Sequence, residues 1–223
     1  MLSRHEEKFI IDYPTYSVIK NRARAVLQPD AHGASYVLTS IYFDDSSNTA
    51  YYEKEDGLSL HTKFRIRTYN CSAVPVQLER KSKHGIMTEK KSATIPLNMV
   101  EGVPNRSFDS ASVSTEARIL MAEMKTRHLK PTVAVRYTRD VFVYPDLDCR
   151  LTFDTDIQAL APDVSVLTDP QCLGIPALRK DSVIMEVKYG ENLPAFIRKI
   201  TQNCGAQLSV SKYTLCRDAI GNV

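Results

Sequence analysis

The sequence predicts an α+β fold built on an antiparallel sheet. Three observations predict it. Eight stretches alternate apolar with polar residues or are rich in β-formers, most of them are joined by short turn clusters, and helix-spaced segments are inserted between them without a regular βαβ rhythm. Eight strands are also a number that can close into a barrel. With no internal repeat, low-complexity tract or linker, residues 1–223 are expected to form a single domain.

In chain order, Arg4 to Ile11 reads as the first strand, with Arg4, Glu6 and Lys8 on one face and Phe9 and Ile11 on the other. Asp12-Tyr13-Pro14 opens a helix carrying Val18, Ile19, Ala23, Val26 and Leu27 at helical spacing, and Pro29-Asp30 ends it. Tyr36 to Phe43 is the second strand, followed by a turn at Asp44-Asp45-Ser46-Ser47-Asn48 and a short helix over Thr49 to Lys54. Leu58 to Tyr69, Val74 to Lys83 and Ile86 to Ile95 are strands three to five, with His84-Gly85 as the last turn. After a loop from Asn98 to Ser112, Ser114 or Thr115 caps a helix that buries Ala117, Leu120, Met121 and Met124. Pro131 to Tyr144 and Cys149 to Asp156 form a hairpin around Pro145-Asp146-Leu147-Asp148. Gln158 to Asp181 has no clear period and is long for a plain connection. Val183 to Tyr189 is the eighth strand, and helices from Asn192-Leu193-Pro194 to Gly205 and over Lys212 to Ala219 complete the chain.

Composition narrows the function classes. A charged fraction of 25% and a net charge of +3 are those of an ordinary globular protein, so only the placement of charge is informative. No apolar run approaches the ~20 residues that cross a bilayer, and Met1 to Glu6 lacks the apolar segment of a secretory signal. Five scattered cysteines without a Cys-x-x-Cys pair fit reduced thiols, and the cytoplasm is the expected compartment. The five histidines have no metal-ligand spacing, and there is neither a Gly-rich phosphate loop nor a nucleophile motif.

Charge is concentrated on strand faces. Arg4/Glu6/Lys8, Lys63/Arg65/Arg67, Glu79/Lys81/Lys83 and Glu186/Lys188 each share one side of a strand, and Arg150/Thr152/Asp154 add a fifth polar face. In an open sheet these would be the wet side. In a closed one they would line a tunnel, and many like charges there require an anionic occupant. The pattern alone leaves both arrangements open.

The set Arg4-x-Glu6-x-Lys8-Phe9, Tyr42-Phe43-Asp44, Phe64-Arg65-Ile66-Arg67, Glu79-Arg80-Lys81, Tyr137-Thr138-Arg139, Glu186-Val187-Lys188 and Ser211-Lys212-Tyr213 resembles the catalytic domain of the vacuolar transporter chaperone family. Those proteins make inorganic polyphosphate and belong to the triphosphate tunnel, CYTH-like metalloenzymes. The resemblance runs in register over essentially the whole chain. It implies an eight-stranded antiparallel closed β-tunnel with surrounding helices. Lys8, Arg65, Arg67, Lys81, Arg139, Arg150, Lys188 and Lys212 would then act on phosphates in catalysis. Arg4, Lys63, Lys83, Lys91 and Arg136 would be further phosphate ligands, while Glu186 and Glu6 would hold a divalent ion, Mn2+ or Mg2+. Tyr42-Phe43-Asp44 would be structural.

Two departures from the family pattern stand out. The wider superfamily often opens with Glu-x-Glu-x-Lys, and here Arg4 takes the place of the first glutamate. Ser209 stands where relatives often carry a second lysine ahead of the one matching Lys212. Strict alternation also places Arg136 and Arg139 on opposite faces of the sixth strand, and Arg139 beside Val133 and Val135. Either a bulge shifts the register or Arg136 is the phosphate ligand; the resemblance favours Arg139.

The activity implied is transfer of the γ-phosphoryl of ATP to a growing polyphosphate chain. The alternatives are a metal-dependent triphosphatase, with Glu6 or Glu79 orienting water, and a non-catalytic polyphosphate-binding module. ATP and inorganic polyphosphate are the expected partners. Nucleic acid is not expected, and a membrane-associated partner is compatible with the absence of a spanning segment.

Overall fold

The structure is a computed structural model that describes residues 5–31, 33–85, 87–103, 113–202 and 204–221. Strand β1 (His5–Asp12) leads directly into helix α1 (Tyr13–Val26). Asp12 caps that helix, its carboxylate accepting the Thr15 backbone N–H at 2.8 Å, and Pro14 occupies the first turn, where no N–H is needed. There follow β2 (Gln28–Pro29), β3 (Ser35–Asp44), α2 (Thr49–Glu55), β4 (Leu60–Tyr69), β5 (Val76–His84) and β6 (Met87–Ile95). Helix α3 (Thr115–Thr126) starts at Ser114, whose hydroxyl accepts the Ala117 N–H. The remainder is β7 (Lys130–Tyr144), β8 (Cys149–Leu160), β9 (Ile175–Pro176), β10 (Ser182–Tyr189), α4 (Ala195–Ile200) and α5 (Lys212–Ala219).

The strands hydrogen-bond in the order β1-β10-β8-β7-β3-β4-β5-β6, with β2 added on β7 and β9 on β8. Two expectations are corrected here. The sheet has ten strands rather than eight, because two-residue strands are too short to show an alternation in sequence. The path is also open: it ends at β1 and β6, and no ladder among the described residues joins those ends into the expected closed tunnel. The eight strands on the path are the eight read from the sequence, with β8 reaching Leu160 rather than stopping at Asp156. The stretch after Leu160, which has no period, contains a 3-10 turn at Val164–Leu167 and β9.

Contacts group the chain into two compact units, each drawn from three stretches. The first comprises residues 1–36, 137–157 and 178–210, and the second residues 37–136, 158–177 and 211–223. Each has its own apolar core. In the first, Ile19 and Ala23 of α1 and Ile197 of α4 pack on Leu151 and Phe153 of β8 and on Val183, Met185 and Val187 of β10. In the second, the predicted α3 stripe of Ala117, Leu120, Met121 and Met124 packs on Phe64 and Ile66 of β4, Leu78 of β5 and Ala93 and Ile95 of β6. One face of each strand is thus committed to a helix-covered core, so the alternate residues must point the other way.

Candidate functional site: two charged sheet faces

The ladder registers of the first unit line up its charged side chains in rows. Glu6 of β1 lies opposite Lys188 of β10, which lies opposite Arg150 of β8. One step along, Lys8 lies opposite Glu186, which lies opposite Thr152. Nearly every charge on this face has a counter-charge at hand. Lys8 Nζ is 2.7 Å from Glu6 Oε1, and Lys188 contacts Glu186 and lies 3.7 Å from Glu6 Oε2. Arg150 Nη2 sits 2.8 Å from Asp30 and donates to the Tyr36 hydroxyl at 3.1 Å. Arg139 forms a two-pronged pair with the fully buried Asp154, at 2.6 and 2.7 Å, and lies over the Tyr137 ring. Burial works against the Arg139 charge, but Asp154 and, more weakly, Glu186 hold its pKa well above the ordinary value.

The second unit is composed differently. Lys63 of β4, Lys81 of β5 and Lys90 of β6 stand directly opposite one another across three strands, and Lys83 stands opposite His61. Arg65 and Arg67 continue the β4 face. Against these, β4, β5 and β6 carry one carboxylate on this face, Glu79. Three cations converge on it: Arg65 at 2.6 Å, Lys90 at 2.5 Å and Arg67 at 3.9 Å. Burial would raise the Glu79 pKa, but these charges outweigh it and bring it down to about 2. The same excess reaches two neutral groups. The Tyr42 phenol, hydrogen-bonded by Arg65 at 3.0 Å, has a lowered pKa despite burial that would raise it, because Arg65, Arg67 and Lys212 lie near. His61 is lowered by burial and by Lys63, Lys83 and Lys54.

The end of this face is held by helix α5. Ser211 caps the helix and accepts a hydrogen bond from Lys63 at 3.2 Å, and Lys63 also lies over the Tyr213 ring. The Tyr213 hydroxyl donates to Asp44 at 2.6 Å, and Asp44 also accepts the backbone N–H groups of Ala50 and Tyr51 in the first turn of α2. Asp44 therefore ties two helices to β3, while Tyr42, two residues earlier, reaches the charged side chains. This bond network fixes Lys212 at the start of α5.

The sequence-selected residues divide accordingly. Glu6, Lys8, Arg139, Arg150, Glu186 and Lys188 come together in the first unit, and Lys63, Arg65, Arg67, Lys81, Lys83 and Lys212 in the second. Arg4 lies outside the described residues. Two candidate phosphate ligands, Lys91 and Arg136, are placed away from these faces. Lys91 pairs with Arg80, whose guanidinium bridges Glu89 and Glu123, so it lies on the helix-covered face; its neighbour Lys90 is the residue on the charged face. Arg136 directs its guanidinium to Thr39 and to the backbone carbonyls of Val166, Asp169, Pro170 and Cys172, which anchors the connection after β8. Lys90 could have been found in the sequence, since Lys91, Ala93 and Ile95 alternate on one side and Lys90, Ser92 and Thr94 on the other.

For a divalent ion the relevant groups are Glu6 and Glu186, diagonal neighbours on adjacent strands. No cluster of three or more His, Cys, Asp or Glu side chains suited to a metal occurs among the described residues. Two carboxylates nevertheless fit the chemistry of Mg2+ or Mn2+, hard ions that take one or two carboxylates and complete their shell with water and substrate phosphate oxygens. Among the described residues no helix is long and apolar enough to cross a membrane.

Comparison with known proteins places this geometry in context. No curated protein sequence matches the chain. A candidate adenylate cyclase from Bacillus halodurans is similar in structure, with a TM-score of 0.54 at 14% identity over 94% of this chain and 96% of its own. The PH1819 protein from Pyrococcus horikoshii gives a TM-score of 0.49 at 13% identity over 96% and 99%. At 14% identity the first likeness speaks to the fold alone. The VTC domain profile matches residues 3–220, nearly the whole length, and the chain belongs to the VTC domain family.

Proposed function

We propose that residues 1–223 form one polyphosphate polymerase domain, transferring the γ-phosphoryl of ATP to the end of a growing phosphate chain and releasing ADP. The observation that carries the proposal is the row Lys63, Lys81 and Lys90, three like charges directly opposite one another. Like charges directly opposite one another repel, so an anion over the row would be favoured, and family membership supports a phosphate chain as that anion. In this reading the protein works in the cytoplasm.

The nucleophile would be a terminal phosphate oxygen, already anionic near neutral pH, so no strong general base is required. The task left to the protein is alignment and charge neutralisation. Arg65 and Arg67 present planar guanidinium groups for paired phosphate contacts; Lys63, Lys81, Lys83, Lys90 and Lys212 act as point charges along the chain. Lys8, Arg139, Arg150 and Lys188 would hold the reacting phosphates, beside Glu186 and Glu6, which would hold Mn2+ or Mg2+. When bound, that ion supplies positive charge to the transferring group. Glu79 is unsuited to activating water, because three cations hold it ionised and engaged.

The test is incubation of the full chain with ATP and Mn2+ or Mg2+, resolved on a polyphosphate gel. Long chains support the polymerase. Free phosphate alone would replace it with a triphosphatase in which Glu6 orients water. Binding of chains without nucleotide turnover under either ion would reduce it to a binding module.

A further inference from the structure

Thr152 Oγ1 is buried without a hydrogen-bond partner among the described residues, in a residue only 4% exposed. An orphaned buried hydroxyl is unusual, because leaving water without a new partner is costly. Its position makes it informative. Thr152 stands directly opposite Glu186 in the β8–β10 ladder, and Glu186 stands directly opposite Lys8. Side chains so paired share a face with Cβ atoms about 5 Å apart. The Thr152 side chain therefore shares the charged face with Glu186, away from the core that takes Leu151 and Phe153.

We propose that Thr152 is a ligand for the divalent ion held by Glu186, its hydroxyl oxygen binding the ion directly or through one ion-bound water. This rests on the reading of Glu186 as a metal carboxylate and adds a neutral oxygen to it. The addition is chemically reasonable, since threonine and serine hydroxyls serve as Mg2+ ligands in P-loop proteins. It also explains how a site with few carboxylates could be adequate: a neutral oxygen adds coordination without adding negative charge that would repel the substrate's phosphates. The neighbouring Asp154 is held by Arg139 and is not needed for the site.

The experiment measures Mn2+ binding to the full chain, with and without tripolyphosphate, by loss of the free-ion electron paramagnetic resonance signal and by calorimetry. Parent, Thr152→Val, Thr152→Ala, Thr152→Ser and Glu186→Gln are compared, with circular dichroism to check folding. Val and Ala should weaken Mn2+ binding about 10-fold, Ser should stay within about 3-fold of the parent, and the metal-free melting temperature of the Val variant should not fall. Parent-like binding by Val or Ala, with Glu186→Gln impaired, overturns the role of Thr152 and leaves the metal reading intact. Equal weakening by Ser and Val also overturns it, because the hydroxyl would not be what matters. If the parent itself binds no Mn2+ in either condition, the assignment of Glu186 fails, and that of Thr152 with it.

Discussion

The two charged faces are made of the same residue types and behave as different devices. In the first unit cations and carboxylates are interleaved: Lys8 with Glu6, Lys188 with Glu186, Arg150 with Asp30, Arg139 with Asp154. In the second, lysines face lysines across three strands, and the counter-charge on those strands is concentrated at Glu79. The first face is close to electrically satisfied as it stands. The second carries excess positive charge and calls for an anion. A family-level label would treat both as one basic lining; the pairing separates a nearly balanced face from a cation-rich one.

The comparison is broken most directly by cutting a pair in the satisfied face. Arg139→Ala would remove the two-pronged partner of the fully buried Asp154, so it should cost about 3–5 kcal/mol of stability in chemical denaturation. Lys81→Ala removes one member of a row of like charges and should cost much less than that. If the two variants melt alike, the distinction between the faces is wrong.

Acid titration tests the second face at Glu79. Glu79 has a folded pKa of about 2 against an ordinary value of 4.5. A depressed carboxylate contributes stability above its unfolded pKa and loses it as pH falls toward the folded one. The parent should therefore lose up to a few kcal/mol between about pH 4.5 and 2. Glu79→Gln should be less stable at neutral pH, flatter across that acid window, and helped more than the parent by tripolyphosphate, which would replace the missing negative charge. An unchanged acid limb in the variant would show that Glu79 does not hold the face together.

Glu186→Gln probes the carboxylates of the first face. Removing one ligand should lower metal affinity or synthesis by ~10-fold or more while leaving the fold intact. Near-parent turnover at limiting Mn2+ would remove Glu186 from the metal site.

Much of this contrast was legible in the sequence, and the gaps have physical causes. The alternation of β1, β4, β5 and β10 placed Glu6, Lys8, Lys63, Arg65, Lys81, Glu186 and Lys188 on shared faces before any pairing was known, because a core on one side forces period two. The end of β8 was not legible: Asp156 has a left-handed backbone, φ 51°, and looks like a terminus although the strand continues to Leu160. The choice between Arg136 and Arg139 was equally hidden. It depends on partners distant in sequence, the carbonyls after β8 for one and Asp154 for the other. Pairing of charges across strands is likewise invisible from single-strand alternation, since it requires the register. That is why the balance of the first face and the cation excess of the second appear only in the fold.

The smallest effect is also the sharpest test of register, at the adjacent lysines of β6. Lys90 lies opposite Lys81 and contacts Glu79, whereas Lys91 lies opposite Arg80 on the side covered by α3. If the second face binds a phosphate chain, Lys90→Ala should weaken tripolyphosphate binding about 2- to 5-fold, the worth of ~0.5–1 kcal/mol for a half-exposed charge. It should also lower the slope of log affinity on log salt by about one, because one counterion fewer is released. Lys91→Ala should change neither quantity. It lies opposite Arg80, which pairs with Glu89 and Glu123, so what effect it has should appear in thermal stability. Equal losses from both variants would mean that affinity follows net charge and not position, and the charged face of β4 to β6 would lose its claim to be a binding surface. A loss from Lys91 alone would shift the β5–β6 register by one residue and bring Lys91 back as the phosphate ligand.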